Sequence, residues 1–511
     1  MSPQISGNFL ALKNGSASPL ARVPELSMKD LRREIIREVE AGKRIASLFG
    51  MTGPGSDVSI IAVLASDAES KLLVARARVP GDTYEALTPE CPQAHWFERE
   101  IAEQMGIRPE GHPWLKPIRF HRSYREGHDA WHRSADTPPV VGVTDFFRVE
   151  GEEVHEVAVG PVHAGVIEPG HFRFQCAGER VFHLEISLGY QHRGIERTLP
   201  GGPHKLTIHH METAAGDTSV GHATAYSQAL EALSKTKVSA RAQALRGIAL
   251  ELERLANHTG DLGALANDVA YLPTASYCGR IRGDFLNMTA LLCGSRFGRG
   301  LVRPGGAGFD IDEARAEELL ARLNRAEKDV TGAVDLLWET PSVQTRFEGT
   351  GVVSREACEA VGLVGVAARA CGLQRDVRRD HPHGIFRFAY IPVMTAQVGD
   401  VFSRAYVRWL EVQQSIEFIR AHVKALPRGD VRTSMNALAP DSIAVSLVEG
   451  WRGEICHVAV TDAGGRFARY KLTDPSFHNW FGLALALRDE QISDFPLCNK
   501  SFNLSYCGHD L

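Results

Sequence analysis

Gly189-Tyr-Gln-His-Arg-Gly-Ile-Glu196 stands at the joint of this chain. Before it, from Val154 to Ser187, apolar and polar residues alternate, as in Phe172-Arg-Phe174 and Val181-Phe-His-Leu-Glu-Ile186, the period of half-buried strands. After it, apolar residues recur three and four apart in Tyr226 to Leu233, Ala240 to Leu265, Gly283 to Leu292 and Asp312 to Leu337. Several long helices striped in this way predict a bundle core. Alternation returns from Ser442 to Tyr470, with Asp462-Ala-Gly-Gly465 as a hairpin turn. Residues 151–511 are therefore expected to form a larger, mainly helical domain with small β-sheets.

Toward the N-terminus the first 120 residues read as a small α+β unit. Ser27 with Asp30 is placed to cap a helix from Leu31 to Gly42, with Leu31, Ile35, Ile36 and Val39 on one face. Val58 to Leu64 and Leu72 to Val79 are strand-like, and an amphipathic helix follows from about Gln93 to Met105. Residues 121–142 are polar, rich in His, Arg and Asp, and contain Pro138-Pro139; a linker is assigned to 121–150. The expected fold class is α+β: residues 1–120, a linker at 121–150, and 151–511. No internal repeat or low-complexity tract is seen.

Composition excludes several classes. With 44% hydrophobic residues over 511 positions, the chain has a globular composition and room for two or three domains. A net charge of −5, with basic residues scattered rather than striped, argues against nucleic acid. No apolar run reaches the roughly 18 residues that span a bilayer, and Met1 to Val23 lacks the basic start and apolar run of a secretory signal. Membrane association is then expected through partners. The nine cysteines lie singly, with no CxxC pair, which suits reduced core thiols in a cytoplasm. Gly53-Pro-Gly55 and Gly305-Gly306 lack the strand–GxGxxG–helix context of a nucleotide site.

Trp96-Phe-Glu-Arg-Glu-Ile-Ala-Glu-Gln-Met-Gly-Ile-Arg-Pro-Glu-Gly-His-Pro113 resembles the signature of the 30-kDa subunit of respiratory complex I. Gly160-Pro-Val-His163, Glu168-Pro-Gly-His-Phe-Arg173 and the His192-Arg-Gly-Ile-Glu196 string are similar to complex I 49-kDa subunits and to the large subunits of membrane-bound, energy-converting NiFe-hydrogenases, the formate hydrogenlyase type among them. Leu252-Glu-Arg-Leu-Ala-Asn-His258, Arg303-Pro-Gly-Gly306 and Arg375-Asp-Val-Arg-Arg-Asp-His-Pro382 extend the likeness in order. The resemblance implies a fused 30-kDa/49-kDa-type subunit, an oxidoreductase scaffold in the sphere of quinone- and NAD-linked electron transport.

The departures from that family are as informative as the likeness. Its hydrogenases carry CxxC just before an Ala-His-x-x-Ala-Tyr segment and a C-terminal Asp-Pro-Cys-x-x-Cys-x-x-His/Arg. Here Gly221-His-Ala-Thr-Ala-Tyr226 sets the register, and the cysteine positions fall on Ala215 and Thr218. In Ser501-Phe-Asn-Leu-Ser-Tyr-Cys-Gly-His-Asp-Leu511 they fall on Ser505 and Gly508, with Cys507 out of register. A NiFe centre needs soft thiolate ligands, so none is expected. The chain's stop at Leu511 matches a protein with no maturation extension to remove. The quinone-binding His and Tyr of complex I fall near Ile167 and Gly216, while the acidic partner of that His is retained as Asp268 and a downstream Arg as Arg282.

Implied by the resemblance, the candidate functional residues are His163, His192, Arg193, Asp268, Arg375 and Asp376. Glu196 matches a family carboxylate that binds Mg, with an ion pair to a neighbouring Arg as the competing reading. His209-His210 with Glu212 lacks HExxH spacing and reads as structural or surface histidine. Expected partners are a small subunit with a 4Fe-4S cluster and antiporter-like membrane subunits, placing the chain peripherally at the cytoplasmic face of the membrane. The expected role is to relay electrons or couple redox to ion translocation without NiFe. The alternatives are a non-catalytic scaffold, or a pocket for a small redox substrate lined by Ser505, Thr218 and His222.

Overall fold

Val58–Ser66 and Lys71–Val79 pair antiparallel over their whole length, and Arg44–Thr52 joins the outer side of Val58–Ser66. With Phe9–Leu12, Gln4–Ser6 and a short parallel addition at Glu25–Leu26 they form a six-stranded sheet. The structure is a computed structural model that describes residues 4–511 apart from 54, 56, 135, 137, 138 and 164–166; Pro54 and Pro138, named above, lie outside the described residues. The first helix runs Met28–Glu40, where the Ser27 hydroxyl oxygen accepts from the Asp30 amide at 3.0 Å. The helix His95–Met105 ends at Gly106 in the left-handed conformation (φ 65°).

That second helix was expected to be amphipathic, and its polar face turns out to be buried: every residue from Trp96 to Met105 is inside. Its carboxylates are matched across the junction with the rest of the chain. Glu100 meets Arg119 and Lys471, and Glu103 accepts from the Arg119 and Phe120 amides. A charged stripe predicts a solvated face only when no complementary charges lie opposite it.

The stretch from Ser442 folds into Ser442–Glu449, Glu454–Thr461 and Phe467–Thr473, with Asp462 Oδ1 accepting from Gly464 and Arg466 amides in the expected hairpin. A fourth strand comes from the far end of the chain: Ser16–Pro19 pairs with Ser442–Glu449. Both faces of this sheet are covered. Ile443, Val445, Leu447, Val458 and Val460 pack on Phe49, Ile61, Val63 and Leu72 of the N-terminal sheet. Ala444, Ala459, Tyr470 and Leu472 pack on Tyr226, Leu230 and Leu233 of the helix Ser219–Ser234.

The helical layer is built on Ala240–Asp268, which packs against Leu272–Cys293 and Val401–Lys424, with Glu313–Trp338 outside Leu272–Cys293. Periodicity missed Val401–Lys424 because its inward positions include Arg404, Arg408 and Glu411, all buried. The strands Val154–Val159, His171–Ala177 and Arg180–Ser187 form a separate antiparallel sheet that delivers the chain to Gly189. Among the described residues, no helix is long and apolar enough to cross a membrane.

Candidate functional site

The Gly189–Glu196 loop and the C-terminal turn lock together. Gly189 and Gln191 amides donate to the two Asp510 oxygens at 2.8 and 2.9 Å, and Arg193 and Gly194 amides donate to the Leu511 carbonyl. His192 Nδ1 lies 2.7 Å from the Asp510 carbonyl, and its ring stacks on His121 at 4.7 Å. Burial, with His121 and Arg119 nearby, pushes His192 down to about 4, so the ring is neutral and its Nδ1–H donates. Arg193 reaches the Thr213, Ala214 and Cys507 carbonyls at 2.6, 2.9 and 3.0 Å. It thereby clamps together the two segments that carry Ala215, Thr218, Ser505 and Gly508.

Protein groups already engage these four positions. Ser505 caps the short helix Tyr506–Asp510, its Oγ accepting from the Gly508 amide at 2.9 Å. The Thr218 hydroxyl donates to Asp217 at 3.1 Å, and Asp217 is held by both Nη atoms of Arg452 at 2.6 and 2.8 Å. Ala215 is fully buried and offers no donor atom. A Cβ on Gly508 would lie 2.7 Å from Asp474 Cγ, so the Asp474 carboxylate occupies the space into which a cysteine would project. Hydrogen-bonded hydroxyls, a methyl and a carboxylate do not fit a centre that needs four thiolates. Among the described residues, no group of three or more His, Cys, Asp or Glu is arranged to hold a metal ion.

Asp474 begins a buried polar chain. Its Oδ2 lies 3.0 Å from His222 Nε2, His222 Nδ1 lies 3.0 Å from His457 Nε2, and His457 Nδ1 lies 2.9 Å from the Tyr470 hydroxyl. All four side chains are buried. Burial works against the Asp474 charge, but the His222 hydrogen bond and Arg452 outweigh it and hold the carboxyl below its ordinary value. Burial and the neighbouring His222 push His457 well below the usual imidazole range, and burial raises Tyr470. One hydrogen-bond direction satisfies every group: Tyr470 O–H donates to His457, His457 Nε2–H to His222, and His222 Nε2–H to the Asp474 carboxylate. Beside this chain Glu253 accepts from the Val220 and Gly221 amides, and burial pushes it up to about 8.

The sterics give a direct test. Asp474 is pinned by His222 and by the Ser476 amide at 2.8 Å, so it cannot swing away from a new side chain at 508. Gly508→Ala is expected to destabilise the protein by about 1–3 kcal/mol through overpacking. In an Asp474→Ala background the same change should cost markedly less. Equal cost in both backgrounds, measured by urea midpoints, would show that Asp474 does not fill the position.

The other predicted residues fall in different places. Glu196 Oε1 accepts from Lys471 Nζ and the Leu472 amide at 2.9 and 3.0 Å, and Oε2 from Arg469 and Gln104 at 2.9 and 3.1 Å. Burial opposes its charge, yet Lys471, Arg469 and Arg119 hold it well below the carboxylate range. With two cations and four donors on its oxygens, Glu196 is an ion-pair hub and does not fit Mg. His163, half-buried, has its Nε2 3.0 Å from the Gly170 carbonyl, and Ile167 is exposed. Asp268 ends its helix, exposed, and Arg282 lies along Gly260 in the same helical layer. His209 Nδ1 lies 3.1 Å from the buried Glu212 carboxylate, which Arg303 Nη1 also binds at 2.8 Å.

Asp376 belongs to a buried ionic lattice. Both of its oxygens bind Arg378, and Arg369 lies 3.7 Å away. Arg375 reaches toward Asp67 at 3.7 Å, at the edge of the lattice. Through Arg378, Glu251 and Arg254 the lattice runs to the Glu449 and Gly450 carbonyls, in the turn that carries Arg452. Sequence reasoning missed Asp474, His457, Tyr470, Asp217 and Arg452. Asp474-Pro-Ser reads as a helix cap, which it also is; its second role depends on the distant Gly508.

With this geometry in view, comparisons with known proteins place the fold. Residues 27–136 match the family described as respiratory-chain NADH dehydrogenase, 30 Kd subunit, and residues 268–443 match the 49 Kd subunit. The chain is 30% identical to formate hydrogenlyase subunit 5 of Escherichia coli, over 83% of this chain and 76% of that protein. It is 31% identical to a carbon monoxide-induced hydrogenase of Rhodospirillum rubrum, over 68% of this chain and 97% of the relative. Among solved structures, a chain of the membrane-bound sulfane sulfur reductase, an archaeal respiratory membrane complex, superposes with a TM-score of 0.66 at 22% identity, covering 70% of this chain and 99% of that one. The chain therefore belongs to the family that unites the large subunits of membrane-bound hydrogenases with the 49-kDa subunit of NADH–quinone oxidoreductase, here fused to a 30-kDa-type unit.

Proposed function

We propose that this protein is the large subunit of a membrane-associated oxidoreductase complex in which a proton shift along Tyr470, His457, His222 and Asp474 takes the place of NiFe chemistry. The carrying observation is position: the Asp474 end of this aligned chain occupies the space of a lost metal ligand. A concerted shift moves one proton from each donor to the next acceptor and leaves Asp474 protonated, and Tyr470 regains its proton from solvent, so that one proton is taken up in all. Because Asp474 is held below and Tyr470 above its ordinary value at rest, the shift needs added negative charge nearby to drive it. Electron arrival on a neighbouring subunit would favour such a shift by changing the local charge. The reading assigns the electrons to an iron–sulfur small subunit with a 4Fe-4S cluster, and ion movement to antiporter-like membrane subunits. The chain would sit peripherally at the cytoplasmic face.

A scaffold would be served better by an apolar filling of the vacated site, because buried polar groups stabilise less than well-packed apolar ones of the same volume. That favours the relay over a purely bracing role. The complex purified from membranes is expected to contain iron and acid-labile sulfide with nickel far below one per large subunit, measured by plasma mass spectrometry. One nickel per large subunit would overturn the proposal.

A further inference from the structure

A cleft of about 690 Å³ opens between the two units of the chain, away from the Asp474 site. One wall is the N-terminal turn at residues 13–16, and the others are Ser219–Ser234, the start of Ala240–Asp268, and the loop from His381 to Arg387. Gly15 adopts φ +66° there, and the absence of a side chain lets the turn close onto Gln228. The volume falls in the range of small-molecule sites, roughly 300–1,000 Å³.

The lining is chemically uneven. Lys13, Lys237 and Arg387 are exposed at the rim, and among the described residues none is in an ion pair. The one lining carboxylate, Glu231, is neutralised by Arg246 in a two-point contact at 2.6 and 3.1 Å. Deeper in, His383 Nε2, Thr224 Oγ1 and Gln228 Oε1 have no hydrogen-bond partner among the described residues, although His383 is only 8% and Thr224 4% exposed. His381, also in the lining, has its Nδ1 likewise unpaired among the described residues, so the floor of the cleft holds several polar groups free to bond a ligand or water. Burial and Arg246 push His383 down to about 4, which leaves it a neutral donor and acceptor. Excess positive charge at the mouth above neutral polar groups on the floor suits an anion joined to a hydroxyl- or amide-bearing body.

We propose that this cleft binds a phosphorylated organic molecule, with Lys13, Lys237 and Arg387 on the phosphate and Gln228, Thr224 and His383 on the polar body. The same chemistry occurs in soluble metabolites and in anionic lipid headgroups, and the test separates them. Calorimetry on the full chain would use AMP and glycerol 3-phosphate as soluble probes, with inorganic phosphate as reference. Flotation would use phosphatidylglycerol vesicles against phosphatidylcholine vesicles. Saturable binding of a soluble probe supports a metabolite site, and selective flotation with phosphatidylglycerol alone supports a headgroup site. In either case Lys237→Glu with Arg387→Glu, both on the surface, should weaken binding at least tenfold, and Thr224→Val should weaken the organic probe without affecting inorganic phosphate. The proposal is overturned if no probe and no vesicle binds, if the charge-reversed variant binds as well as the parent, or if inorganic phosphate binds as tightly as the organic probes.

Discussion

Arg369→Ala is expected to destabilise the protein by about 3–5 kcal/mol, the loss typical of removing one partner from a buried ion pair. Arg369 is completely buried. Its Nε and Nη2 face Glu411 at 2.8 Å, and its Nη1 serves Glu449 at 2.8 Å and the Arg375 carbonyl at 2.9 Å. Without it the buried Glu411 would keep only Arg254 and His258, Glu449 only the Val377 amide, and Asp376 only Arg378. Burial and Asp376 already push Glu449 up to about 7 with Arg369 in place, so Glu449 would take up a proton in the variant. Arg369→Lys keeps the charge but not the planar fork, and should recover only part of the loss. Urea midpoints at constant m-value provide the measurement. A change under about 1 kcal/mol would mean that the lattice is solvated, contrary to the burial of its members.

The second large effect concerns coupling rather than stability. In the intact complex, the midpoint potential of the partner's iron–sulfur cluster is expected to fall as pH rises, approaching about 59 mV per unit for one proton per electron. Asp474→Asn keeps one acceptor oxygen, for the Ser476 amide, turns an NH2 donor toward His222 and cannot take up the shifted proton, so the slope should flatten while assembly persists. His222→Ala breaks the chain at its middle and should flatten it as well, with added loss of stability because Asp474 is left buried and unpaired. Redox titration followed by electron paramagnetic resonance gives the slopes. A parent complex with no pH dependence, or an Asp474→Asn complex with the parent slope, would sink the relay.

The strand and helix patterns were legible wherever one face was apolar and the other wet. They failed where both faces are buried. The helix His95–Met105 looked like a surface element because four of its residues are Glu or Arg, and Val401–Lys424 escaped notice because Arg404, Arg408 and Glu411 interrupt its apolar stripe. In each case the charges are satisfied by groups far away in sequence: Lys471 and Arg119 for the first, Asp261 and Arg369 for the second. A hydrophobic period records contact with a core, and it is silent about ion pairs formed only after the chain has folded.

The sequence by itself determined the family and the loss of the thiolates, because ligand chemistry resides in the residue type at each position and Ala215, Thr218, Ser505 and Gly508 carry no sulfur. Only the tertiary structure decided what replaced them. Asp474 reaches Gly508 because the sheet that ends at Thr473 delivers its carboxylate against the C-terminal turn, and His222 reaches Asp474 and His457 because its helix lies across that same sheet. It also supplied the partners of Glu196, for which the sequence offered an ion pair with a neighbouring Arg or Mg, since Lys471 and Arg469 arrive on a strand far along the chain. Space and charge are properties of the packed molecule, and they follow from distant residues meeting.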